Sequence, residues 1–132
     1  MKTIVSVCFT LLASSVSAQD AARGQDLFQY FCSGCHGEDG SGGGPMASVL
    51  LVQPTNLTKL SKNNGGTFPI ERAARRIDGR DALVSHGSDM PVFGWLLEDI
   101  PVVIKMPSGQ SMMADRPVAD LLTWLESIQS QD

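Results

Sequence analysis

Three side chains capable of chemistry fall within five residues of this chain, in the run Cys32-Ser33-Gly34-Cys35-His36. Two thiols two residues apart, followed at once by an imidazole, match the spacing of covalent haem attachment. Each thiol can add to one haem vinyl group as a thioether, and the adjacent imidazole reaches the iron from one side as proximal ligand. Three other chemistries use the same residue types. Zinc would need a fourth ligand, and the sequence holds no second Cys/His cluster. A thioredoxin-like redox pair belongs at a strand-to-helix junction in a βαβ pattern, and none precedes Cys32. A disulfide between the two cysteines leaves His36 without a role.

A second axial ligand is sought among the methionines. Met90 lies in His86-Gly87-Ser88-Asp89-Met90-Pro91, between a glycine-containing turn and a proline that restricts its backbone, and it is the expected distal ligand. Met106 also precedes a proline and is the runner-up, ahead of Met46, Met112 and Met113. A metal-bound histidine donates its second ring N–H to an outer acceptor. The backbone carbonyl of Pro45, which closes the glycine-rich loop after His36, is the expected acceptor for His36.

The elements that must hold these residues are helical. Asp20 can cap a helix running to Phe31, with Leu27, Phe28 and Phe31 on one face, which delivers Cys32 to the site. Gly24 costs such a helix about 1 kcal/mol relative to alanine, so close approach of another helix is expected there. A second helix opens at Thr67-Phe68-Pro69, repeats Ile70, Ala73, Ala74 and Ile77, and ends at Gly79. Its other face, with Glu71, Arg72, Arg75 and Arg76, reads as a solvated face. The last helix begins near Asp115-Arg116-Pro117 and carries Val118, Leu121, Leu122, Leu125 and Ile128 as an apolar stripe. Trp124 is available to pack over Gly24. Residues 46–61 are expected to form short turns. The stretch from Gly94 to Ala114 shows no convincing alternation and is given no element.

The N-terminus reads as a secretory signal: Lys2, an apolar run over residues 4–13, then Val16-Ser17-Ala18 as the cleavage site. That run is far short of the roughly 20 residues a membrane span needs. Residues 1–18 are therefore expected to be removed, taking Cys8 with them and leaving residues 19–132 as a single domain without a membrane span. Loss of Lys2 takes the formal net charge from −4 to −5, which argues against nucleic acid as a partner. The mature chain keeps two cysteines, both in the motif, so no other disulfide can staple the fold. A doubly attached cofactor would do so.

Taken together, the mature chain resembles a class I c-type cytochrome, similar to the small periplasmic monohaem carriers of bacteria. Gly24 and Phe28 stand eight and four residues before Cys32, as in the N-terminal helix of that family, and Leu121 with Trp124 resembles its C-terminal helix. Gly44-Pro45 and Met90-Pro91-Val92-Phe93-Gly94 resemble its proline turn and its distal methionine segment. The resemblance implies an all-α fold with N- and C-terminal helices crossing over one haem c, held by Cys32 and Cys35 and ligated by His36 and Met90. It implies a periplasmic, monomeric one-electron carrier, not an enzyme, that exchanges electrons with a dehydrogenase, oxidase or reductase. A dedicated haem subunit of a dehydrogenase or oxidase complex is the alternative, ahead of a peroxidase or gas sensor with an open distal site and His86 or Asp89 as helper. Two features depart from the family: the stretch 95–114 is longer, and the lysine-rich rim has no counterpart, with only Lys59, Lys62 and Lys105 remaining in the mature chain.

Overall fold

The structure is a computed structural model and describes residues 19–80 and 89–130. Residues 1–18, expected from the sequence to be a secretory signal, and the segment with His86 lie outside the described residues. Helix α1 spans Ala21–Phe31. The Asp20 side chain caps it, accepting from the backbone N–H of Ala22 at 2.9 Å and Arg23 at 3.2 Å. A one-turn helix, α2, follows at Ser33–His36 and stops at Gly37, whose φ of 79° reverses the chain. Short 3₁₀ turns at Ala47–Val49, Leu57–Lys59 and Lys62–Asn64 carry the chain onward. Helix α3 covers Ile70–Asp78, buries Ala74 and Ile77, and ends at Gly79 in the left-handed conformation. On its exposed side Arg75 pairs with Glu71 one turn back, at 2.9 Å.

The expected helical fold holds in the main, with one departure from an all-α arrangement. Strands β1 (Pro101–Lys105) and β2 (Ser111–Asp115) form an antiparallel hairpin in the region that the sequence left without an element. Its inward residues are Val102, Ile104, Met112 and Ala114, and its outward ones include Val103 and Met113. Both faces therefore carry apolar side chains, which erases the period-two contrast on which strand recognition rests. The described fold is mostly helical with this one hairpin inserted before the last helix, and no helix among the described residues is long and apolar enough to cross a membrane.

Helix α4 runs Arg116–Ser127, with Pro117 in its first turn, and buries Val118, Leu121, Leu122, Trp124 and Leu125. It crosses α1 at Gly24. A Cβ there would stand 2.1 Å from the Asp120 carbonyl oxygen and 3.0 Å from Trp124 Cβ, so only glycine permits this approach. One turn on, the Phe28 and Trp124 rings meet at a tilt of 37° with centroids 4.3 Å apart. Leu121 faces the core beside them. At the same crossing Asp120 is 2% exposed, and its Oδ1 accepts the Asp20 backbone N–H at 2.8 Å. Its Oδ2 lies 3.6 Å from the Arg23 guanidinium, which also reaches Asp99 at 3.4 Å. Arg23 thus ties the crossing to the chain segment that enters the hairpin.

Candidate functional site

The site is built outward from the turn that ends α1. The Cys32 N–H closes α1 on the Phe28 carbonyl at 2.8 Å, and the His36 N–H bonds the Cys32 carbonyl at 2.9 Å. The two thiols and the imidazole are thereby carried on one compact turn. The Ser33 hydroxyl donates to the Gln29 carbonyl at 2.6 Å and fixes α2 to α1. Cys32 and Cys35 are both free and partly buried. Burial, with Cys35 beside it, pushes the Cys32 thiol up to about 12. A thiol held protonated in this way is the reverse of the thiolate-favouring environment that a disulfide exchanger needs.

The glycine-rich loop folds flat over this turn. Gly42 N–H donates to the His36 carbonyl at 2.7 Å, Gly44 N–H to that of Cys35 at 3.1 Å, and Met46 N–H to that of Gly34 at 2.9 Å. A Cβ on Gly44 would meet the carbonyl oxygens of Gly34 and Ser33 at 2.5 and 2.6 Å. On the loop's other side a Cβ on Gly42 would lie 2.4 Å from the Pro54 carbonyl oxygen. The segment 54–57 can therefore run beside the loop, where Leu57 N–H reaches the Gly40 carbonyl at 2.7 Å.

This packing decides the partner of His36. Its Nδ1 lies 3.0 Å from the Thr55 carbonyl oxygen, so the outer acceptor is Thr55 and not Pro45. Pro45 is exposed, on the chain between Gly44 and Met46. Chain proximity favoured Pro45, whereas the missing side chains of Gly42 and Gly44 let a segment nineteen residues away reach the ring. The only local signal for Thr55 is Asn56 after it, whose side chain caps Thr58 at 2.9 Å and so sets the backbone direction. His36 is buried, and burial pulls its pKa below the usual imidazole value, opposed in part by the Thr55 bond. The neutral ring donates from Nδ1, which leaves Nε2 with the lone pair.

Met90 is partly buried and packs against the apolar core. Three residues on, the Phe93 ring meets Phe31, the residue before Cys32, edge-on at 6.1 Å, and Phe93 N–H bonds the Ile77 carbonyl at 2.9 Å. The Met90 segment is thus brought to the end of α1 that carries the cysteine turn. The other methionines are spread elsewhere. Met46 is half exposed beside the turn, Met106 caps the hairpin loop, and Met112 and Met113 lie on opposite faces of β2.

Two thiols and an imidazole with a lone pair, carried on one turn of a small, mostly helical protein, are the groups that covalent haem attachment uses. A family model described as Cytochrome c matches residues 21–129, and the chain belongs to the cytochrome c family. No curated protein and no solved structure matches it. The family carries haem c, and the residues present fit it. Two free thiols stand at the attachment spacing, His36 offers Nε2, and the glycine-backed turn leaves no side chain between the loop and the motif. Among the described residues no three Cys, His, Asp or Glu side chains converge as a metal site, so tetrahedral zinc finds no donor set there.

Proposed function

We propose that the protein is an exported one-electron carrier, with one haem c held by Cys32 and Cys35 and ligated by His36 and Met90. The observation that supports this most directly is the commitment of His36 Nδ1 to the Thr55 carbonyl at 3.0 Å, which orients the ring and leaves the Nε2 lone pair available to a metal. Bound haem supplies the one-electron couple of its iron. Everything else falls to the chain's own residues. Cys32 and Cys35 would fix the haem's position, His36 and the thioether of Met90 would supply ligands to its iron, and Phe31 and Phe93 pack apolar edges between the two segments. With both ligands supplied by the chain the iron would offer substrate no site, and the protein would pass electrons rather than act as an enzyme.

Two measurements test this. The intact mass of the exported protein is expected to equal residues 19–132 plus one haem that survives denaturation. A haem lost on denaturation, or a bound zinc, would overturn the reading. In the ferric protein, Met90→Ala is expected to abolish the weak near-infrared absorption of sulfur-ligated haem and to lower the potential, whereas Met106→Ala leaves both unchanged. The opposite pattern would move the ligand to Met106.

A further inference from the structure

The hairpin that the sequence did not disclose carries an exposed apolar surface of its own. Val103 and Met113 are directly opposite in the strand register and leave the sheet on the same outer face, 58% and 50% exposed. Trp95, in the connection just before the hairpin, is 71% exposed. Trp95, Pro101 and Met113 share the wall of a cleft of about 310 Å³ with Glu98 and Asp115. Arg80 and Asp78 lie in the same wall but are paired with each other, and Arg80 also donates to the Met113 carbonyl at 3.1 Å. Among the described residues Glu98 and Asp115 have no ion-pair partner.

We propose that this cleft is a docking socket for a cationic side chain, an arginine or lysine presented by a redox partner protein. The face of an exposed indole attracts a cation, and the two unpaired carboxylates beside it supply the complementary charge. Pro101, Val103 and Met113 give the apolar surround that excludes water from such an anchor. An acidic partner face would be repelled. A neutral one would bury Glu98 and Asp115 without a counter-charge.

The socket adjoins the candidate site mechanically. Gly94 separates Trp95 from Phe93, and a Cβ on Gly94 would stand 2.3 Å from the Asp78 carbonyl oxygen, so this connection is pressed onto the end of α3. That the partner is a redox protein rests on the electron-carrier reading. The socket itself does not.

The test uses the ¹⁵N-labelled holoprotein in its reduced state, titrated with a hexa-arginine peptide at low and at near-physiological salt while the Trp95 indole N–H is followed. A saturable Trp95 shift that weakens with salt is expected, with none from hexaglutamate. Glu98→Gln and Asp115→Asn should each weaken binding, and Trp95→Leu, followed through the backbone N–H of Met113 in place of the lost indole, should do so by roughly two- to fivefold, the share of a cation–π contact at an exposed site. All three residues lie at the surface or its margin, and the unchanged remainder of each spectrum reports that the variant is folded. Shifts spread over acidic residues such as Asp26 and Glu38 without Trp95 would overturn the proposal. So would a Trp95 shift that follows protein concentration alone, which would make the occupant a second copy presenting Lys105. Because the readout involves no electron transfer, a failure of the ligand assignment at Met90 shows up in the haem spectrum and leaves this result unaffected.

Discussion

At the scale of single residues, what Gly44 lacks matters as much as what Cys32, Cys35 and His36 supply. Its backbone lies so near the cysteine turn that a methyl group would meet the carbonyl oxygens of Gly34 and Ser33 at 2.5 and 2.6 Å. Neither oxygen can swing aside, since each belongs to the helical turn that holds His36. Gly44→Ala is expected to destabilise the holoprotein by roughly 1–3 kcal/mol through this overpacking. Gly43→Ala is the control, because a Cβ there would find only the Ser41 hydroxyl at 4.0 Å. Urea midpoints measured on the two variants decide the point. Equal midpoints would mean that the loop yields, and the tight seat inferred for the motif would be wrong.

At the scale of elements, the crossing of α1 and α4 carries the fold. It joins the first and last helices, so its burial closes the chain on itself. The contact at Gly24 is backbone against backbone, with Asp120 carbonyl and Trp124 Cβ as the nearest atoms and Leu121 turned into the core. Gly24→Leu has no room at 2.1 Å from that carbonyl and is expected to cost roughly 1–3 kcal/mol, read as a lower urea midpoint at unchanged slope. A variant as stable as the parent would show that the helices can separate without loss. Asp120 adds a polar clamp that amphipathic patterning could not foresee, because a carboxylate inside an apolar stripe reads as an interruption. Its placement is explained by what it binds: the Asp20 N–H and, through Arg23, the segment at Asp99.

At the scale of the whole molecule, size sets the terms. A chain this short buries only about two thirds of its surface on folding, and it has no disulfide among its described residues to compensate. A covalently held haem would enlarge the core and tether the α1–α2 junction. The double variant Cys32→Ala, Cys35→Ala, which cannot hold the group covalently, is expected to unfold at lower urea and to bind a dye for exposed apolar surface before it does so. Tryptophan fluorescence can follow the transition, as Trp124 lies in the core. A variant that unfolds at the parent's midpoint would mean that the polypeptide core suffices alone.

Local chemistry and periodicity were enough to determine the motif, the three longer helices with the Asp20 cap and the Gly79 stop, and the close approach at Gly24. Each depends on residues within a few positions of one another: Asp20 bonding the turn after it, Gly79 reversing a helix, Val118 to Leu125 forming one stripe. What only the tertiary structure decided are the contacts made across the chain. Thr55 replaces Pro45 as the partner of His36 because two glycines let a distant backbone approach, and no periodicity encodes that. The hairpin is not legible in the alternation because both of its faces carry apolar residues, Ile104 and Ala114 inward and Val103 and Met113 outward, and a sequence pattern separates faces only when their polarity differs.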